Sequence, residues 1–97
     1  SKVTTMIGLF NEDSALSELN VSSFDTSNVT NMYFMFYNCR SLTNLDLSSF
    51  DFSSVTTSSN MFGNVPINSL IYVKDDISKE FVLGVRKNLT NVQIKNV

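Results

Sequence analysis

Two aspartates, Asp25 and Asp51, occupy the same place in the phrases "SSFDTSNVT" and "SSFDFSSVT", 26 residues apart. Paired carboxylates raise the question of a calcium ion, which needs a shell of several oxygens. No third carboxylate joins either phrase, so both aspartates are read as turn or helix-start residues that accept backbone N–H groups. Zinc is weaker still, with no His and one Cys. Cys39 could be a nucleophile, but the usual activating base is missing with histidine, and the same lack disfavours serine-based catalysis. "SKEF" at 78–81 does not make a serine–lysine motif. Neither catalytic residues nor a metal or other cofactor are expected, and Cys39 reads as a buried, inert thiol. Asn20, Asn28 and Asn88 each begin an Asn-x-Ser/Thr sequon, as chance supplies in a chain so rich in those residues.

The 97 residues, 42% of them apolar, suit one domain with a core. Only 16% are charged, leaving a surface of Ser, Thr and Asn that is more typical of exported proteins than of cytosolic enzymes. Residues 1–67 hold six acids against Lys2 and Arg40, and residues 68–97 hold three against Lys74, Lys79, Arg86, Lys87 and Lys95. Neither half has the basic stripe that nucleic acid needs. No apolar run is long enough to span a bilayer and the amino terminus is not signal-like, so no direct membrane insertion is expected of this segment. The lone cysteine excludes an internal disulfide.

The phrase repeats because the whole chain does. A shift of 26 lays Leu19 on Leu45, Val21 on Leu47, Phe24 on Phe50, Val29 on Val55 and Phe36 on Phe62, and reaches back to pair Met6 with Met32 and Phe10 with Phe36. The chain divides into a partial repeat (1–15), repeats 16–41 and 42–67, and a terminal unit (68–97) within a single domain, 1–97. A period in the twenties is that of a solenoid, in which no unit buries its apolar face alone. Leu19/Val21, Leu45/Leu47 and Ile71/Val73 alternate with polar residues, which predicts adjacent parallel strands over 19–22, 45–48 and 71–74. Val29, Met32, Phe36 and Cys39 recur at helical spacing and predict a short helix on the other side of the unit. After Pro66 a last strand leads to a helix within 76–89, capped by Asp75 or Asp76, with the stripe Ile77, Phe81, Val85 and Leu89. Val92 and Ile94 suggest a closing strand.

"LSELNVSSFDTSNVTNMYFMFYNCRSLTNLDLSSFDFSSV" resembles the 26-residue repeat of BspA-like leucine-rich-repeat bacterial surface proteins, strongly over residues 3–67. The resemblance implies an α/β fold: a right-handed leucine-rich-repeat-like solenoid with short stacked parallel strands, short helices opposite and a C-terminal α/β capping unit. It also implies a secreted or wall-attached protein acting in adhesion or protein binding, part of a longer exported chain, with no shared catalytic residues. Phe52 departs from the repeat, where Thr26 is regular, as does Ser54, where Asn28 is regular. Gly63, Asn64 and Val65 replace Tyr37, Asn38 and Cys39, and are expected to disturb the second helix.

The candidate partner-binding surface is the polar side of the strands: Asn20, Asp46 and Tyr72 in one row, Ser22, Ser48 and Lys74 in the next, with Tyr33 a further aromatic of interest. Host matrix or surface proteins and glycans are the expected partners; a structural spacer without a ligand is the alternative. The strand at 19–22 lacks an upstream neighbour, so more repeats or a dedicated cap are expected before it, together with edge-mediated self-association.

Overall fold

A computed structural model of the chain describes residues 4–15, 17–21 and 25–95. The molecule is a mixed α/β unit in which β1 (Glu18–Asn20), β2 (Asn44–Asp46), β3 (Leu70–Val73) and β4 (Val92–Ile94) form one sheet in the order β1-β2-β3-β4. All three pairings are parallel. The alternation in the sequence fixes this register: Leu19, Leu45 and Ile71 align, and the latter two are fully buried. A slip of one residue would turn that row to solvent. Between β3 and β4 runs α1 (Asp76–Val85), the one helix among the described residues.

The predicted helices opposite the strands are replaced by chains of turns. Val29, Met32, Phe36 and Cys39 are all fully buried, yet the segment winds with Phe34 and Asn38 in left-handed backbone, at φ 59° and 64°. The N–H groups divide by parity. Those of Met32, Phe34, Phe36 and Asn38 donate to the carbonyls of Thr57, Ser59, Met61 and Gly63 in the next unit, at 2.7–3.2 Å. Those of Met35, Tyr37 and Cys39 turn back to Met32, Phe34 and Phe36, at 3.2–3.3 Å. An α-helix spends its interior N–H groups within itself and has none for a neighbour; this path joins neighbouring units and still buries its apolar side chains. The second repeat is not the irregular one: Asn60 and Asn64 take φ 58° and 65°, as Gly8 and Glu12 do in the first unit at 62° and 61°. Gly63 fits because the Tyr37 ring lies on it, where a Cβ would meet Cδ1 at 2.5 Å.

Between sheet and turns the core is laddered. Phe10, Phe36 and Phe62 stack at 5.5 and 5.6 Å with ring planes within 7° of parallel. Hydroxyls tie unit to unit as well: Thr30, Thr43 and Thr56 donate to the carbonyls of Thr4, Ser17 and Thr30, each 26 residues earlier, at 3.0–3.2 Å. Many Ser and Thr residues therefore bind neighbouring backbone rather than merely solubilise the surface. Of the expected pairs, that of Phe24 with Phe50 lies outside the described residues.

The terminal unit closes the sheet as expected, with one correction. Asp75 caps α1 by accepting from Ser78 N at 2.9 Å. The helix then buries Ser78 and Val82, half-buries Phe81 and Val85, and leaves Ile77 77% exposed. Ile77 thus leaves the predicted stripe because the cap sets the helix phase with Ser78 inward, and Leu89, though buried, lies beyond the helix end. Phe81 stacks on Phe52 at 4.4 Å. The Arg86 guanidinium donates to the carbonyls of Phe62, at 2.6 Å, and Val65.

Candidate functional site

The register assembles the predicted row. Asn20 aligns with Asp46, Asp46 with Tyr72, and Tyr72 with Gln93. Because their neighbours Leu45, Ile71 and Val92 face the core, Asp46, Tyr72 and Gln93 occupy the opposite face of the pleat. The fourth strand, offset from β3 by 21 residues instead of 26, adds a column that the repeat does not contain.

Asp46 is the best-anchored group on this face. Its Oδ1 accepts from Ser48 Oγ at 2.5 Å and Ser48 N at 3.0 Å, and its Oδ2 meets Lys95 Nζ at 2.8 Å. Burial pushes the Asp46 carboxyl up, but the Lys95 ammonium and the Ser48 donors outweigh it and hold the group below its ordinary value. The hydrogen bond from Lys95 to Asp46, with the attraction of that carboxylate, raises the lysine. Lys95 Nζ also lies 5.3 Å from the Tyr72 ring centroid, within cation–π reach. Asp46, Tyr72 and Lys95 thus form one cluster spanning β2, β3 and the end of β4, a fixed arrangement of anion, ring and cation suited to hydrogen bonding and stacking with a partner.

Other candidates fall elsewhere. Ser48 is 8% exposed and acts through Asp46, whereas Lys74 follows β3 and lies beside Asp51 and Asp75. Ser22 lies outside the described residues, and Asn20 is placed by its strand pairing alone. Tyr33 is on the turn segment, with its ring 3.9 Å from that of Phe34. Lys95 is the member of this cluster that the repeat did not reveal; its signal was the alternation of Val92 and Ile94 with Gln93 and Lys95, but the register of β4 cannot be read from a 26-residue period.

Asp25 and Asp51 occupy Asx-turns, accepting from Ser27 N at 3.1 Å and Ser53 N at 2.9 Å. Hydrogen bonds from Ser27 and from Ser53 lower their respective carboxyls. Among the described residues no three metal-capable side chains come together. Cys39 is fully buried, its thiol donates to the Phe10 carbonyl at 3.1 Å, and burial pushes its pKa up, away from the reactive thiolate. None of the described helices is long and apolar enough to cross a membrane.

The chain belongs to the family described as "Mycoplasma protein of unknown function, DUF285", whose model matches residues 1–78. That match suggests a surface-protein type of repeat module, in a family whose function is unknown, and stops within α1, before the closing strand. It does not single out the BspA-like leucine-rich-repeat group. No curated protein and no solved structure matches the chain.

Proposed function

We propose that this chain is a non-enzymatic binding module of an exported bacterial surface protein, a segment of a right-handed leucine-rich-repeat-like solenoid that engages a protein or glycan partner through its strand face. One observation carries the reading: the register sets Asp46 and Tyr72 side by side and Lys95 reaches across both, so an aromatic ring and two charges are held on a rigid sheet. Such preorganised aromatic and charged groups are what binding hot spots are made of. Binding to arrays of host matrix proteins, mucins and glycans tests it: a bound partner should be lost with Tyr72→Ala and weakened with Lys95→Ala, while variants at Ser54 and Lys87 should still bind.

A spacer role is the second reading, favoured by the same ion pair, because Asp46 and Lys95 already satisfy one another. It would prevail if the parent protein bound its surface partner and this segment bound nothing on the arrays. Self-association through β1, an edge strand of the sheet, is also proposed. Light scattering should show mass rising with concentration; a strictly monomeric chain would reject it.

A further inference from the structure

A second candidate surface lies at the junction between the last repeat and the terminal helix, apart from the strand face. Its first sign is Ile77, the most exposed of the large apolar residues described, at 77%. The next two in exposure, Ile7 and Leu9, lie at the opposite end of the stack, in its first unit. It walls a cavity of about 210 Å³ together with Phe52 and Phe81, whose rings stack at 4.4 Å, and Asp51, Lys74 and Asp75 also line it. The size is informative. Cofactor and small-molecule pockets run to about 300–1,000 Å³, so this one suits a single long side chain.

The charges restrict which side chain. Asp51 and Asp75 stay anionic in their turns, each using Oδ1 to accept a backbone N–H at 2.9 Å, from Ser53 and Ser78. Two carboxylates face one ammonium, that of Lys74, and the ion pair formed among the described residues is elsewhere, between Lys95 and Asp46. The cavity therefore joins an apolar, aromatic lining to a net negative charge. An arginine matches both: its stem covers apolar surface, its planar cation lies on aromatic faces, and its N–H fork binds carboxylates. Lysine offers a more strongly hydrated point charge without the plane.

We propose that this cavity is an anchor site for an arginine side chain of a partner protein, with the stem against Phe81 and Ile77 and the guanidinium directed to Asp51 and Asp75. Lys74, of the same sign as the guest, weakens the site and tunes its selectivity.

The test is an amide-resolved NMR titration of the folded chain with N-acetyl-arginine amide, compared with its uncharged isostere N-acetyl-citrulline amide. Shifts should centre on Ser53, Lys74 and Ser78, and citrulline should bind more weakly. Asp51→Asn, which keeps the side-chain acceptor of the turn, should weaken arginine about two- to fivefold, the worth of one exposed ion pair. Lys74→Gln, which leaves that turn untouched, should strengthen it by a similar factor. Equal binding of arginine and citrulline, or the absence of localised shifts up to tens of millimolar, would overturn the proposal. Because Asp46, Tyr72 and Lys95 are not involved, either result is independent of the array experiments.

Discussion

The two ends of the stack solve the same problem differently. At the carboxyl end, Met61, Phe62 and Val65 are at most 1% exposed, because the terminal helix lies over the last repeat and Arg86 seals two of its carbonyls. At the amino end, Leu9 precedes the fully buried Met35 and Met61 by 26 and 52 residues, yet is 48% exposed. Residues 4–13 hydrogen-bond along the turn path and cover it, while β1 remains an edge of the sheet. Identical placement in the repeat thus gives a core residue in one unit and a surface residue in another. Burial here is a property of neighbours.

Replacing the ladder phenylalanines one at a time tests that contrast most severely. Phe36→Ala and Phe62→Ala, both at fully buried sites, should each cost about 3–5 kcal/mol. Phe10→Ala, at the half-covered end, should cost about 1–2 kcal/mol. Urea unfolding measures all three, and equal losses at Phe10 and Phe62 would show that the ends are not different. Next in size is Arg86→Ala, which should cost about 1.5–3 kcal/mol as charged hydrogen bonds to the Phe62 and Val65 carbonyls are lost. Arg86→Lys should recover part of this, and a neutral Arg86→Ala would mean that the helix alone covers the repeat.

Leu9→Gln should change stability by no more than about 0.5 kcal/mol, the usual range for surface positions, whereas Met61→Gln should be severe. The smallest expected effect is electrostatic. The folded Asp46 carboxyl is held below its ordinary 3.8, so its contribution is full above that pH and fades as the pH falls through the folded value. Lys95 is held above 10.5, so its contribution is full below that pH and fades as the pH rises through the higher folded value. The stability difference between the chain and its Asp46→Asn variant should therefore be flat from about pH 5 to 9 and shrink towards acid; a slope across the neutral range would point to another titrating group.

What the sequence reveals is uneven, for physical reasons. Leu45 and Ile71 announce strands because only a pleated backbone sends every second side chain to the same face. Met32, Phe36 and Cys39 mislead because successive turns, reset by left-handed Phe34 and Asn38, also return side chains to one side every three or four residues. Asp46 and Tyr72 were legible as one row through the repeat, but Lys95 was not, since β4 pairs outside the period. Phe52 looked like a lapse from the Thr26 pattern and has a reason. Thr26 uses its hydroxyl both to donate to the Asp51 carbonyl, at 3.2 Å, and to accept the Asp51 N–H, at 2.8 Å, joining its unit to the next. Phe52 meets a helix instead of another repeat and presents a ring to Phe81.

The parity of the turn segment also bears on inheritance. A single-residue insertion near Phe34 would exchange the N–H groups that reach the next unit with those that turn back, and the mismatch would run to the end of the segment. Duplicating a complete 26-residue phrase leaves every donor opposite an acceptor. A gene encoding such a path can change length by copying whole phrases far more safely than by gradual slippage, so relatives should differ in numbers of repeats before they differ in the length of one.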